Sequence, residues 1–312
     1  MKRIENKAEV KTVIEGLQKG PHVLITSGVH GDEYEPILTA GRLSQFLEGK
    51  LIAGKVTIVP LVNALAYENA TRFGPDGLDL ARICPGNAEG SSSEQAAATI
   101  SAMIHEADYL IDMHTGGVMY DIFPLVGYML HGNKEILEKQ REMALAFPVP
   151  AIWGTEPTPN GRTLSVARDA GVPAVYLEYG GGTGIREKVI ECYFDGCINL
   201  LRKVGMLEGT ANELPLSERY WVEDPRINSG YLQGMMPAPT AGIFQAEVAI
   251  GDQVVASQCW GTIHDPLTGD STKVVADIDG LVFLLRNLVK VKTGDALGGI
   301  LPITKPGKIT LT

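Results

Sequence analysis

The stretch His22-Val23-Leu24-Ile25-Thr26-Ser27-Gly28-Val29-His30-Gly31-Asp32-Glu33 runs from an apolar segment through glycine into a histidine and two acids. An apolar run of strand length that stops at a glycine ends a buried strand. Glu35–Leu47 follows, with apolar residues at Ile37, Leu38, Leu43, Phe46 and Leu47, and reads as a helix. The unit is therefore strand, polar loop, helix, and the same texture recurs downstream. Lys55–Val62, Tyr109–Met113, Ile122–Leu130 and Pro173–Leu177 read as strands, and Ser93–Ala107, Asn133–Phe147 and Arg186–Val204 as helices. In the last of these, Val189, Ile190, Tyr193, Phe194, Cys197, Ile198 and Leu201 recur at steps of three and four and line one face. Alternating strands and helices predict an α/β fold, a mixed sheet flanked by helices. Residues 74–93 are rich in Gly, Pro, Asp and Ser and read as a long loop, of the kind that is often functional.

Beyond residue 207 the texture changes. Residues 207–236 are polar and turn-rich and read as a linker and edge segment. From 237 to 312 short β-like runs follow, at Gly242–Ile250, Val274–Ala276, Leu281–Leu285 and Ala296–Ile303. The division expected is 1–206 as a catalytic domain, 207–236 as the connection and 237–312 as a small all-β domain. Gly251-Asp252 and Gly294-Asp295 each follow an apolar run and precede another, a weak internal repeat. That pattern is similar to the barrel-sandwich hybrids of lipoyl and biotinyl domains. No lysine stands convincingly at a hairpin tip, so this domain reads as structural rather than as a carrier.

The chain has 312 residues, 45% hydrophobic and 21% charged, with a formal net charge of −10. A chain of this length buries a large core without staples. An acidic chain with no Lys/Arg run argues against a nucleic-acid partner. Residues 1–20 hold no apolar stretch, and no run approaches the length of a membrane span, so a cytoplasmic protein is expected. The four cysteines, Cys84, Cys192, Cys197 and Cys259, form no C-x-x-C pair and fit reduced thiols.

Four motifs carry chemistry. His30 and Glu33 stand three apart at a strand end, where imidazole and carboxylate can converge on a metal. The plain alternative is a loop histidine beside a surface acid. Leu110-Ile111-Asp112-Met113-His114-Thr115-Gly116-Gly117 repeats the arrangement. His114 is the candidate third ligand. Asp112 is the candidate acceptor that orients a ligand histidine, with His30 as its expected partner. A satisfied core histidine is an equal alternative. Two histidines and one glutamate leave a fourth zinc position open, the layout of a catalytic site. Pro173–Gly182 (PAVYLEYGGG) delivers Glu178 at a strand end, where a lone acid can move a proton or merely cap a neighbour. Thr71–Arg82 (TRFGPDGLDLAR) holds two arginines in a Gly/Pro loop, suited to anions or simply exposed.

Together and in this order, these motifs resemble the succinylglutamate desuccinylase/aspartoacylase family of the zinc carboxypeptidase clan, over most of residues 20–205. The resemblance implies a zinc-carboxypeptidase-like sheet with a small β domain after it. It implies one zinc per chain on His30, Glu33 and His114, with Glu178 as general base and then general acid. Arg72 falls where the family arginine polarises the scissile carbonyl. Arg82 falls on the arginine that clamps a substrate carboxylate, Asn63 on the family's N-P turn with Ala64 in place of the proline, and Arg162, ahead of Arg168, on a second substrate arginine. The implied activity is amide hydrolysis of a small N-acyl amino acid. The alternatives are a carboxypeptidase-like peptidase and an inactive binding protein on the same fold. The family reads D-L-N-R where this chain reads Asp79-Leu80-Ala81-Arg82, so one side-chain hydrogen bond to the substrate carboxylate is absent and the usual substrates are in question. The small β domain also offers surface for a homo-oligomer.

Overall fold

The computed structural model describes residues 10–231, 236–307 and 309–312. Residues 1–9 of the expected catalytic domain, 232–235 of the expected connection and Lys308 lie outside them. The chain runs through β1 (Thr12–Glu15), β2 (Gln18–Thr26), α1 (Tyr34–Leu47), β3 (Ala53–Val59), α2 (Ala64–Glu68), a 3-10 turn at Leu80–Arg82 and α3 (Ser92–His105). It continues with β4 (Tyr109–His114), β5 (Tyr120–Met129), α4 (Lys134–Leu145), β6 (Ala151–Thr155), α5 (Thr163–Ala170), β7 (Ala174–Gly181), α6 (Glu187–Lys203) and β8 (Tyr220–Asp224). The C-terminal strands are β9 (Gly242–Ala246), β10 (Gln253–Val254), β11 (Cys259–His264), β12 (Ser271–Val275), β13 (Gly280–Arg286), β14 (Lys290–Val291), β15 (Gly298–Leu301) and β16 (Ile309–Leu311).

The main sheet has the order β1-β3-β2-β4-β7-β5-β6-β8-β16. Strands β3, β2, β4 and β7 are mutually parallel, and β5 turns antiparallel against β7. Helices α1, α4 and α6 cover one face. There Leu43, Leu47, Met143, Val189, Tyr193 and Leu201 pack on the odd-numbered residues Ile111, Met113, Val175 and Leu177. Helices α3 and α5 cover the other, where Ile100, Ile104 and Leu164 pack on Leu24, Leu110 and Ala174. Each strand side chain alternates between these faces. His114 and Glu178 therefore emerge on the α3/α5 side, at the carboxyl ends of parallel strands, the usual ligand crevice of such sheets.

Helix α3 begins at Ser92, because Glu94 accepts from the Ser91 N–H at 2.8 Å and from its hydroxyl at 2.9 Å, which makes Ser91 the cap. Asp76 reinforces this start from the long loop. It accepts from the Ser93 N–H and hydroxyl, both at 2.8 Å, and from the Ser92 hydroxyl at 3.2 Å. Strand β6 is fully buried and five residues long, too short for a periodic signal in the sequence.

The C-terminal strands split between two sheets. Strands β12-β11-β9-β14 form a separate four-stranded sheet. Strand β13 joins the main sheet antiparallel to β5, with Leu284 opposite Ile122, and β16 extends it parallel to β8. A shared core of Ile122, Leu125, Trp153, Val222, Leu281, Phe283 and Leu301 fills this seam. The two Gly-Asp turns are equivalent: Asp252 accepts from the Ala249 N–H at 2.8 Å, and Asp295 accepts from the Lys292 N–H at 2.9 Å.

Candidate active site

The loop after β2 is shaped by a close approach. A Cβ at Gly31 would lie 2.0 Å from the Ala66 carbonyl carbon, so only glycine lets α2 press on the histidine loop. Asn63 serves this contact. Its side-chain oxygen accepts from the Ala66 N–H at 3.2 Å and caps α2. Asn63, expected as a substrate-binding residue, is not among the residues that line the cleft; its N–H donates instead to the Gly28 carbonyl at 2.8 Å, in the loop that leads to His30.

His30, Glu33 and His114 are buried and turn their donor atoms to one region, all within 4.8 Å of one another. Glu33 Oε1 lies 2.7 Å from His30 Nδ1, and Glu33 Oε2 lies 3.0 Å from His114 Nδ1. Each histidine is held through its other nitrogen by an aspartate. His114 Nε2 meets Asp112 Oδ2 at 3.1 Å, and His30 Nε2 meets Asp79 Oδ1 at 3.2 Å. Asp112 thus orients His114, its neighbour two residues along the same strand face, and not His30. Asp79 holds His30 instead. Asp112 itself accepts from Thr26 at 2.6 Å and from the Thr163 hydroxyl. The Tyr193 hydroxyl donates to the His114 carbonyl at 2.6 Å and pins the end of β4.

The electrostatics follow from this packing. Burial alone would raise the Glu33 carboxyl, but His30 and His114 reverse that and hold it well below the usual range. Burial opposes protonation of His114, and Asp112 and Glu33 overcome it and push that group well above its ordinary value. The set of two imidazoles and one carboxylate, each imidazole backed by an aspartate, fits the donor chemistry of zinc.

Glu178 sits opposite His114 in the β4–β7 register. Its Oε2 is buried with no partner among the described residues. Burial pushes its carboxyl up to about 8, with His114 and Arg72 pulling the other way. Arg72 donates from Nε to Asp79 Oδ2 at 3.0 Å, and its Nη1 lies 3.4 Å from His30 Nδ1. Asp79 therefore links the histidine to the arginine.

These groups face a cleft of about 840 Å³, counting its open mouth. His30, Arg72, Arg82, Asp112, His114, Arg162 and Glu178 all line it, and so does Ala81. Burial lowers the pKa of both Arg82 and Arg162; Asp79 pulls Arg82 back up while Arg162 and Arg72 press it further down, and Tyr176 and Glu156 oppose the effect of burial at Arg162. Arg162 donates to the Gly230 carbonyl at 3.2 Å, and Arg82 lies over the Tyr231 ring at 5.9 Å. Arg168 turns away, toward Asp169 at 2.7 Å and Asn160 at 2.8 Å.

The structure also brings in residues to which the sequence reading assigns no role. Asp79 lies inside the quoted arginine motif, so its proximity to Arg72 was visible, but not its reach to His30. Tyr176 shares the strand face of Glu178 by period two, a signal present in PAVYLEYGGG. Tyr120, Ile122 and Leu284 line the cleft from the seam; no local feature marks them.

Comparison with known proteins places the chain in a family. The sequence matches the Succinylglutamate desuccinylase/Aspartoacylase catalytic domain over residues 19–204. It is 29% identical over 292 residues to the N-alpha-acetyl-L-2,4-diaminobutyric acid deacetylase of Halomonas elongata, covering 92% of this chain and 84% of that protein. The crystal structure of succinylglutamate desuccinylase/aspartoacylase from Rhodobacter sphaeroides superposes with a TM-score of 0.82 at 26% identity, over 92% of this chain and 87% of that one. A product-bound structure of the ectoine utilization protein EutE (DoeB) from Ruegeria pomeroyi shares the fold, with a TM-score of 0.84 at 24% identity over 93% and 87% of the two chains. The matched span contains the strands and loops that carry His30, Glu33, Arg72, His114 and Glu178, and the chain belongs to the succinylglutamate desuccinylase/aspartoacylase family.

Proposed function

We propose that this protein is a zinc-dependent deacylase that hydrolyses the amide bond of a small N-acyl amino acid. One observation carries the reading: the donor atoms of three buried residues converge near Glu178, whose buried Oε2 has no hydrogen-bond partner among the described residues, at the wall of a cleft holding three arginines. The Halomonas relative's activity on an N-acetyl amino acid supports it.

His30, Glu33 and His114 would hold one zinc ion per chain. Zinc, when bound, supplies Lewis acidity that polarises a carbonyl and acidifies water. Glu178 takes the proton of the attacking water and returns it to the leaving nitrogen. A buried carboxyl raised toward neutrality suits both steps. Arg72, fixed by Asp79, directs its remaining N–H groups at the carbonyl oxygen and steadies the charge that develops there, worth about 3 kcal/mol for one well-placed donor. Arg82 and Arg162 attract the carboxylate of the amino-acid portion. Ala81 leaves space where the family asparagine would donate. Asp112 keeps the Nδ1 of His114 turned inward.

The small molecule substrate requires no nucleic acid or membrane partner. No described helix is long and apolar enough to cross a membrane. The cysteines are free thiols, in keeping with a cytoplasmic location.

The test is metal analysis of purified protein together with turnover of N-acetyl amino acids. About one zinc per chain is expected, lost in His114→Ala. Glu178→Gln should keep the metal and lose roughly 10²–10⁴-fold in kcat. No zinc uptake by the wild type, or equal turnover by Glu178→Gln, would overturn the assignment.

A further inference from the structure

Tyr176 lies two residues before Glu178 on β7 and shares its face. In the sheet it stands between Asp112 of β4 and Gly127 of β5. Gly127 has no Cβ to spare. A Cβ built there would lie 2.2 Å from Tyr176 Cζ, 2.3 Å from Cε1 and 2.4 Å from the hydroxyl oxygen. The phenol end of the ring, and not its base, fills the notch that this glycine leaves.

The ring lines the cleft next to Met129, Thr155, Arg162 and Thr163. Among the described residues nothing hydrogen-bonds its hydroxyl. Burial and the nearby Glu178 push the phenol up, while Arg162 pulls it down, so it remains a protonated donor at neutral pH. An N-acyl amino acid with its amide at Glu178 has this wall within reach, since the two side chains leave the strand about 7 Å apart.

We propose that Tyr176, seated in the notch left by Gly127, is a specificity-determining residue that donates to a hydrogen-bond acceptor on the amino-acid portion of the substrate. The inference rests on the deacylase reading above. Arg162 brings positive charge to the same wall, so the wall selects an acceptor-ended group over an ammonium-ended one. Gly127 acts through Tyr176 as a positioning residue. It sets how far the phenol stands out of the floor, and so the length of group that fits.

The experiment is steady-state kinetics on N-acetyl-aspartate, -glutamate, -glutamine, -leucine and Nα-acetyl-2,4-diaminobutyrate. Tyr176→Phe should raise KM about 10-fold or more for the best acceptor-ended substrate, with kcat changed by less than about 3-fold. It should leave N-acetyl-leucine within about 2-fold. Gly127→Ala should push the ring into the cleft and raise KM most for the longest side chains. In a Tyr176→Ala background that effect should vanish, because the new methyl no longer meets a ring. If Gly127→Ala does not fold, Tyr176→Phe alone decides. Wild-type turnover with an unchanged KM in Tyr176→Phe overturns this proposal and leaves the deacylase reading intact. No wild-type turnover of any compound by zinc-loaded protein overturns both.

Discussion

Asp79 offers the sharpest test of how the site is held together. Its carboxylate accepts from Arg72 Nε at 3.0 Å and meets His30 Nε2 at 3.2 Å, and its Oδ1 also caps the Ala81 N–H at 3.0 Å. Burial would raise this carboxyl, yet His30 and Arg72 hold it well below the usual range, so it is ionised at every working pH. Asp79→Ala removes the acceptor that fixes the orientation of His30. Losing such a partner of a metal-binding histidine typically weakens metal affinity about 10–100-fold, or about 1.4–2.7 kcal/mol. The same change frees Arg72, whose aim at the carbonyl oxygen depends on that bond, and a misaimed donor costs up to about 3 kcal/mol in the barrier. The two effects are separable. Zinc affinity, measured by competition with a chromogenic chelator, reports His30. kcat at saturating zinc reports Arg72. Asp79→Asn keeps one oxygen acceptor and loses the charge, so it should fall between wild type and alanine on both measures. An Asp79→Ala protein with wild-type zinc affinity and wild-type kcat would refute the view that this carboxylate organises the site.

Two further outcomes follow from buried and capping contacts away from the metal donors. Arg219 is fully buried and donates to the carbonyls of Leu214, Leu145 and Phe147, at 3.2, 2.9 and 3.1 Å, closing the end of α4. Arg219→Met should cost about 3 kcal/mol in urea unfolding, because several carbonyls lose their donor in the interior, while kcat per folded molecule is unchanged; a loss below about 0.5 kcal/mol would contradict that role. Asp76 is exposed, and the hydrogen bonds from Ser93, Ser91 and Leu78 hold its carboxyl well below the ordinary value despite the opposing effect of burial. A depressed folded-state pKa gives stability that is present above the unfolded value near 4 and is lost as pH falls through the folded one. Asp76→Asn should therefore lower stability at pH 7 by about 1 kcal/mol at most, with the difference from wild type shrinking toward pH 2. A gap that widens on acidification would reverse the sign of the argument.

The parts of the site legible in the sequence are those whose signal is local. His114 and Glu178 lie at or near the ends of apolar strands that run into glycines, His30 follows one just past Gly28, and strand ends in a parallel sheet converge by construction. Asp112 partners His114 for a local reason too: period two puts the two side by side on one strand face, and that adjacency, rather than the expected reach to His30, is what forms. Asp79 was hidden because the segment 74–93 has no period from which direction can be read. The contact of Gly127 with Tyr176 depends on the register of β5 against β7, which shifts between Ile122 and Leu125, and no pattern in either strand encodes that shift.

The seam with the C-terminal strands extends this point to the shape of the cleft. Leu284 reaches the wall only because β13 pairs with β5, and that pairing is secured by Phe283 packing edge-on against Trp153 at 5.0 Å in the shared core. Sequence texture separates 237–312 from what precedes it, since the strands are short and the turns are Gly-Asp, but texture is a property of single strands and pairing is a property of two. The consequence is a division of labour across the molecule. The reacting groups project from parallel strand ends on one side of β7, whereas Tyr120 and Ile122 of β5 and Leu284 of β13, a strand added much later in the chain, close another wall. Substitutions along that added wall can reshape what the cleft accepts while leaving His30, Glu33, His114 and Glu178 in place, because none of those four side chains takes a hydrogen bond from the C-terminal strands among the described residues.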